Sequence, residues 1–230
     1  MPTAIVTGGS EGFGRALSQH LARDGWRLVI DARHSDTLAT TAEALRSFGG
    51  EVRAVAGDVV DAEHRHQLIE AARQLGGLDL LVNNASTLGP SPLPHLDALA
   101  MTELTRIYEV NVFAPFALVQ LALPLLRTAM GTVVGISSDA AIEGYESWGG
   151  YGSSKAALDQ LLNVLASEEQ DLHVYAFDPG DMGTAMHQLA FPGEDISDRP
   201  EPESVVPLLV SLLASGLPSG RYSAAELVRS

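Results

Sequence analysis

Two residues at the start of a helix-like segment have the types and the spacing of a proton-transfer pair. Tyr151 and Lys155 lie four positions apart, so on a helix the phenol and the ammonium project from the same face. A nearby cation favours the phenolate and lowers the pKa of a tyrosine from about 10 towards neutrality. Such a phenol can act as general acid or base on an alcohol or carbonyl group. An incidental surface pair has the same spacing, so the pair alone leaves both interpretations open.

Two further polar residues strengthen the functional interpretation. Ser138 follows a strand-like run, and its hydroxyl could hold a substrate oxygen beside Tyr151. The alternative for Ser138 is a residue that caps a turn. Asn111 lies among apolar neighbours in a long helical segment, where an unpaired buried amide would cost about 1–3 kcal/mol. Asn111 is therefore either a core residue with hydrogen-bond partners or a functional residue that interrupts the helix and orders a water.

A glycine-rich turn follows the first strand-like run. Gly8, Gly12 and Gly14 precede a helix-like segment, and glycine permits the positive φ of a tight turn. Backbone N–H groups at such a helix N-terminus can bind a pyrophosphate. For this segment taken alone, an ordinary strand-to-helix turn is the alternative.

The elements that must position these residues alternate along the chain. The predicted strands are residues 3–7, 27–32, 52–56, 78–82, 132–137, 173–177 and 221–223. The predicted helices are residues 12–24, 36–48, 61–75, 97–130, 151–169 and 203–213, with Asp36, Asp61 and Asp97 as N-caps. This alternation predicts an α/β fold of Rossmann type, a doubly wound parallel sheet in a single domain over residues 1–230. Such sheets bind ligands beyond the carboxyl ends of their strands.

Composition narrows the possible partners. The chain has 230 residues, 46% of them hydrophobic and 19% charged, which suits one folded domain. Its net charge of −15 disfavours nucleic acid and anionic membrane surfaces. The absence of cysteine removes disulfides and thiolate metal sites, and we expect no metal. We find no signal peptide and no run of about 18 uncharged apolar residues, so we expect a cytoplasmic protein without a membrane span.

Taken together, the motifs resemble the short-chain dehydrogenase/reductase family, in its compact single-domain branch, over nearly the whole chain. The matching segments are Thr7-Gly8-x-x-x-Gly12-x-Gly14, Asp58-Val59, Asn83-Asn84-Ala85-Ser86, Asn111, Ser138, Tyr151-x-x-x-Lys155 and Pro179-Gly180-x-x-x-Thr184. The resemblance implies an oxidoreductase that transfers a hydride between a nicotinamide cofactor and a small-molecule carbonyl or alcohol. One departure is Ser86, which stands where the family usually has glycine.

The resemblance also implies a role for each matching position. Tyr151 would donate or accept the proton, and Lys155 would lower its pKa and bind the nicotinamide ribose. Ser138 would fix the substrate oxygen, and Asn111 would hold a water that connects Lys155 to solvent. The implied cofactor-binding residues are Gly8, Ser10, Glu11, Gly12, Phe13, Gly14, Arg33, Asp58, Val59, Asn84, Ala85, Tyr151, Lys155, Pro179, Gly180, Met182 and Thr184.

The choice between NADP(H) and NAD(H) depends on the end of the second strand. The resemblance places an acidic residue at position 32 in NAD-specific members, and Ala32 stands there. Arg33 could bind a 2′-phosphate bidentately, which favours NADP(H). Asp31 and Glu11 are acidic and would repel that phosphate, and an alignment shifted by one residue would make Asp31 an NAD determinant. NAD(H) therefore stays open.

The substrate side is the least determined by the sequence. An apolar wall is predicted from Tyr145, Trp148, Met182, Met186 and Phe191, which suits an aromatic or aliphatic carbonyl compound. Residues 182–202 form a predicted lid over this region. By resemblance, a homodimer or homotetramer would form through residues 97–130 and 151–169. A catalytically silent nucleotide sensor or scaffold on the same fold is the main alternative, and an epimerase or dehydratase is another.

Overall fold

The strand-like runs of the sequence pair into one parallel sheet in the computed structural model, which describes residues 1–228. The strands are β1 Thr3–Val6, β2 Arg27–Ala32, β3 Val52–Ala56, β4 Leu80–Asn83, β5 Thr132–Ile136, β6 His173–Asp178 and β7 Gly220–Ser223. Within the described residues their order across the sheet is β3-β2-β1-β4-β5-β6-β7, and every neighbouring pair is parallel. The Rossmann-type doubly wound fold predicted from the sequence is confirmed.

Helices cover both faces of the sheet. They are α1 Gly12–Arg23, α2 Ser35–Arg46, α3 Ala62–Gln74, α4 Met101–Tyr108, α5 Ala114–Ala129, α6 Gly149–Glu168, α7 Ala185–Ala190, α8 Pro202–Ser215 and α9 Ala224–Leu227. In β1, Ala4 and Val6 join the apolar cluster on one face, whereas Ile5 joins the cluster on the other. All three are fully buried, which explains why the strand is apolar without interruption.

The connection from β3 to β4 creates the crevice in which this fold binds ligands. The chain winds outward from β1 to β3 and then returns to the other side of β1, so β1 and β4 are central neighbours with helices on opposite faces. The hydroxyl of Thr7, just after β1, accepts hydrogen bonds from the N–H groups of Asn84 and Ala85, just after β4, both at 3.0 Å. The two strand ends are therefore fixed to each other where the crevice opens.

Two of the three predicted N-caps are wrong. Asp61 caps α3 by accepting from the N–H of Glu63 at 3.0 Å. Asp36 instead lies within the first turn of α2, where its charge still complements the helix dipole. Asp97 precedes α4, which begins only at Met101.

The long helix predicted over residues 97–130 is interrupted where Asn111 lies. A π-helical turn, Glu109–Phe113, separates α4 from α5. Pro115 lies in the first turn of α5 and has no N–H to donate to the carbonyl of Asn111, four residues earlier. The missing donor gives a physical reason for the wider turn.

The helical stretch Met101–Ala129 bears on the expectation that the chain has no membrane span. It has 29 residues and a mean hydropathy of 1.6 in its most apolar window, so by length and composition it could cross a membrane. Half of that window is buried within the fold, and Leu118, Ala122 and Leu126 pack in the core. In this structure the segment is a core helix of the α/β fold.

We expect Gly152→Ala to destabilise the protein although alanine favours helices by about 1 kcal/mol. A Cβ at Gly152 in α6 would lie 2.5 Å from the main-chain oxygen of Ala140, and such overpacking costs about 1–3 kcal/mol. Urea unfolding followed by circular dichroism measures the change. Gly144→Ala is the matched control, since a Cβ there meets nothing within 4 Å. Equal stability of Gly152→Ala and wild type would contradict the packing argument.

Candidate active site

A cleft of about 330 Å³ lies at the carboxyl ends of the central strands. The predicted site residues that line it are Gly8, Ser10, Glu11, Gly12, Phe13, Arg33, Asp58, Val59, Asn84, Ala85, Ser138, Tyr151, Lys155, Pro179, Gly180, Met182 and Thr184. Gly14 and Asn111 are the predicted residues that do not line it. The sequence therefore identified one continuous surface, although its members come from six different strand-to-helix connections.

The glycine turn presents a helix N-terminus to the cleft. Gly8 and Gly12 have φ of 64° and 50°, values that glycine adopts without strain. Glu11 occupies the N-cap of α1 without a side-chain capping bond, and the first turn contains no acidic residue. The first N–H groups of α1 are thus free of a side-chain cap and suit a pyrophosphate.

Gly14 acts through packing behind the turn. A Cβ there would lie 2.3 Å from the carbonyl oxygen of Gly8 and 2.4 Å from Nδ2 of Asn84. That same Nδ2 donates to the carbonyls of Thr7 and Gly8 at 2.8 and 3.2 Å. Gly14 and Asn84 together hold the turn against the end of β4.

Asp31 is a structural residue of the glycine turn. Its Oδ1 accepts from the N–H of Gly8 at 2.7 Å, and its Oδ2 lies 2.9 Å from Nε2 of His64. The residue is 1% exposed, so both oxygens are engaged away from solvent. These contacts argue against the shifted alignment in which Asp31 would bind ribose hydroxyls.

Beyond the end of β2, the cleft is lined by an exposed arginine, Arg33, and by an ion pair between Asp58 and Arg106. Arg33 is exposed, lines the cleft and makes no hydrogen bond or ion pair within residues 1–228. Asp58 accepts from the guanidinium of Arg106 at 2.6 Å and from the N–H of Val60 at 3.0 Å. Burial raises the pKa of Asp58, but these hydrogen bonds outweigh burial and hold the pKa below its usual value. No sequence signal pointed to Arg106, whose partner is 48 positions away.

Tyr151 and Lys155 meet inside the cleft as their spacing predicts. The Nζ atom of Lys155 lies 5.4 Å from the centroid of the Tyr151 ring and donates to the main-chain oxygen of Ile136 at 2.7 Å. Lys155 is 2% exposed. Burial lowers its pKa to about 8, and the carboxylate of Asp159 opposes that change.

The prediction that the pKa of Tyr151 is lowered is wrong for this structure. Burial of the phenol raises its pKa, and the carboxylates of Asp178 and Asp139 raise it further. Hydrogen bonding with the hydroxyls of Ser138 and Ser86 lowers it only in part. The four-residue spacing identified Lys155 as a neighbouring cation. It did not reveal the carboxylates of Asp178 and Asp139, which belong to other elements of the fold.

Ser138 caps a turn, and its hydroxyl also faces the cleft. Its Oγ accepts from the N–H of Ala140 at 3.2 Å and so caps the short 3-10 turn Asp139–Ala141. The same hydroxyl lines the cleft and interacts with Tyr151. Its neighbour Ser137 donates to Asp159 at 2.7 Å and is structural.

Asn111 is a fully bonded core residue within the π-helical turn. Its Oδ1 accepts from the hydroxyl of Ser86 and the N–H of Thr87, at 3.0 and 2.9 Å. Its Nδ2 donates to the carbonyl of Thr87 and the hydroxyl of Ser154, each at 2.9 Å. All hydrogen-bonding positions of the Asn111 side chain are thus occupied. A water at this residue would have to bind its main-chain carbonyl, to which Pro115 cannot donate.

The predicted substrate wall is only partly formed. Trp148, Met182 and Met186 line the cleft, and Phe191 packs behind them at 6.0 Å from the Trp148 ring. Tyr145 does not line the cleft, because its hydroxyl is hydrogen-bonded to carboxylates of Asp139 and Glu143 at 3.0 and 3.1 Å.

Comparisons with known proteins show which family shares this sequence and fold. Residues 2–195 match the family model for short chain dehydrogenases. The chain is 34% identical to sepiapterin reductase of Mus musculus over 220 residues, 90% of this chain and 83% of that protein.

Solved structures share the whole fold. The oxidoreductase YciK from Escherichia coli is 31% identical, with a TM-score of 0.90 over 97% of this chain and 94% of YciK. An alcohol dehydrogenase from Thermococcus sibiricus, complexed with 5-hydroxy-NADP, is 26% identical with a TM-score of 0.88 over 97% and 95% of the two chains.

The low pKa of Lys155 predicts how Lys155→Met changes stability with pH. In the folded protein without cofactor the ammonium deprotonates at about pH 8, whereas an unfolded lysine does so near pH 10.4. The folded state therefore binds fewer protons between these values, and the wild type gains up to about 3 kcal/mol relative to the methionine variant as pH rises. Urea unfolding of both proteins from pH 7 to 10.5 measures the difference. A difference independent of pH would contradict the burial of a titrating lysine.

Proposed function

Because this chain belongs to the short-chain dehydrogenase family, we propose that it reduces a carbonyl group of a small molecule with NADPH. The observation that carries the proposal is the meeting of Tyr151, Lys155 and Ser138 in one cleft with the open N-terminus of α1. A silent sensor on this fold would need the nucleotide surface but not the acid/base pair. We therefore assign the chain to the enzymes of the family.

The charges along the cleft support NADP(H) as the cofactor. The uncapped N-terminus of α1 offers N–H donors for the pyrophosphate, and the unpaired guanidinium of Arg33 offers a site for the 2′-phosphate. Asp31 is one of the two acidic residues that argued against NADP(H) in the sequence. Its carboxylate is already bonded to the N–H of Gly8 and to His64. The structural neighbour from Thermococcus sibiricus also contains an NADP derivative.

The residues of the cleft divide the chemistry among them. When bound, NADPH supplies the hydride that reduces the carbonyl carbon. Tyr151 donates the phenolic proton to the carbonyl oxygen, and the hydroxyl of Ser138 holds that oxygen by a hydrogen bond. The ammonium of Lys155, beside the tyrosine ring, stabilises the phenolate that remains.

The raised pKa of Tyr151 keeps its phenol in the protonated form. Burial and the carboxylates of Asp178 and Asp139 raise that pKa above its ordinary value, so the phenol is protonated at neutral pH. A protonated phenol is the form needed to donate to a carbonyl, whereas alcohol oxidation requires the phenolate.

The surroundings of the site support an apolar substrate. Trp148, Met182, Met186 and Leu88 line the cleft beside Tyr151, which suits an aromatic or aliphatic carbonyl compound. We assign residues 182–202 as the segment that covers this compound, since Met182 and Met186 belong to it.

We further propose a cytoplasmic homodimer or homotetramer that forms through α4, α5 and α6. Phe113 lies in the π-helical turn, Phe116 in α5 and Val164 in α6, and the three residues are 56%, 44% and 43% exposed. An interface between subunits would cover large apolar side chains of this kind.

Tyr151→Phe is expected to retain NADPH binding and to lose turnover by about a hundredfold or more, because it removes only the acid. Consumption of NADPH with benzaldehyde as probe, and the NADPH dissociation constant by fluorescence, measure the two properties. Tyr222→Phe is the matched control and should keep wild-type turnover, since the Tyr222 hydroxyl donates to the carbonyl of Pro218 outside the cleft lining. Near-normal rates for Tyr151→Phe would remove this residue from the mechanism.

Arg33→Ala should weaken NADPH binding about ten- to a hundredfold and leave NADH binding nearly unchanged. The reason is that a charge-assisted hydrogen bond is worth about 1.5–3 kcal/mol and only NADPH has the 2′-phosphate. Fluorescence titration with both cofactors tests this. Arg53→Ala removes the same charge from an exposed position on β3, away from the cleft, and serves as control. Equal losses for the two cofactors would contradict the phosphate role.

A further inference from the structure

An arginine on the edge strand joins the three elements that carry the proposed site. Arg221 lies on β7, which pairs with β6 at the end of the sheet. Its Nη2 donates to the main-chain oxygen of Ser138 at 2.9 Å and to Oδ2 of Asp178 at 2.8 Å. Its Nε donates to Oδ2 of Asp159 at 3.2 Å.

Each of these acceptors is next to a functional position. Ser138 bears the hydroxyl that faces Tyr151, so a bond to its carbonyl fixes the main chain from which that hydroxyl projects. Asp178 ends β6, and its Oδ1 accepts from the N–H of Gly180 at 2.9 Å, at the start of the connection proposed to hold the nicotinamide. Asp159 follows Lys155 by four positions on α6, and its charge is the one that opposes deprotonation of that lysine.

The charges of this group balance only when Arg221 is present. The side chains of Asp178 and Asp159 are 7% and 14% exposed, and buried carboxylates are costly unless they are paired. Burial already raises the pKa of Asp159, and Arg221 opposes that change. Without the guanidinium, Asp178 would keep only the N–H of Gly180, and Asp159 would keep the hydroxyl of Ser137 and the charge of Lys155.

We propose that Arg221 is a positioning residue of the active site, which holds Ser138, Asp178 and the Lys155-bearing helix in one fixed arrangement. Arginine suits this task because its planar guanidinium donates in several directions at once, which a lysine ammonium at this distance cannot reproduce. Arg221 itself touches neither substrate nor cofactor in this role. The inference rests on the proposed carbonyl reduction, whose geometry it refines.

The test compares Arg221→Ala and Arg221→Lys with wild type. We expect Arg221→Ala to lower kcat with benzaldehyde about ten- to a hundredfold, because small misplacements of reacting groups are that costly. The fluorescence-measured dissociation constant for NADPH should change less than kcat does, by at most about tenfold, because Arg221 reaches the nicotinamide connection only through Asp178 and makes no contact with the glycine turn or Arg33. Arg221→Lys keeps the charge and should recover part of kcat, and it allows the test if the alanine variant folds poorly.

Arg127→Ala is the control, because Arg127 pairs with Glu169 and joins α5 to the end of α6 away from the cleft. It should keep kcat while losing some stability to urea. An active wild type with unchanged kcat in both Arg221 variants would overturn the positioning role alone. The positioning role would also be overturned if kcat and NADPH affinity both fell in proportion to the fraction of unfolded Arg221 variant. A wild type inactive with NADPH across aldehydes and ketones would overturn the proposed reduction, and the positioning role with it.

Discussion

The site depends on a backbone constraint at the centre of the sheet, where β1 and β4 end side by side. The hydroxyl of Thr7 accepts hydrogen bonds from the N–H groups of Asn84 and Ala85. The side-chain amide of Asn84 in turn donates to the carbonyls of Thr7 and Gly8. These hydrogen bonds fix the position of the glycine turn relative to the ends of β1 and β4. The turn thereby determines where the N-terminus of α1 lies, and therefore where a pyrophosphate can bind in the cleft.

Around this centre, two buried polar side chains find hydrogen-bond partners in distant parts of the chain. Asp31 bonds Gly8 and His64, and Asn111 bonds the Ser86 and Thr87 segment together with Ser154. An unpaired buried amide or carboxylate would be destabilising by itself. The loops at the strand ends are therefore held by side-chain hydrogen bonds as well as by packing, and the walls of the cleft are rigid where chemistry requires fixed distances.

The sequence was sufficient for the sheet and for most helices, because strand and helix periods are local signals. Nearly all of the predicted site residues line the cleft, and most of them were identified through the family resemblance. It was insufficient for contacts between distant residues. The pKa of Tyr151 depends on Asp178 and Asp139, and Arg106 reaches Asp58 only in the folded chain. Local propensity also misplaced the start of α4, since Asp97 has the chemistry of an N-cap but precedes a turn rather than the helix. Pro115 is the sequence feature that accounts for the break at Asn111, since a proline cannot donate to the carbonyl four residues earlier.

The two proton-active groups of the cleft have pKa values displaced in opposite directions. Burial raises the pKa of Tyr151 and lowers that of Lys155, so burial disfavours the charged form of both groups. A protonated phenol beside a lysine that titrates near neutrality can release its proton only where added positive charge or hydrogen bonding stabilises the phenolate. The carboxylate of Asp159 favours the ammonium of Lys155, and the charge of Arg221 lowers the pKa of Asp159 against the larger effect of burial. The Tyr–Lys spacing alone therefore does not determine the acidity of the phenol, on which the carboxylates of Asp178 and Asp139 also act.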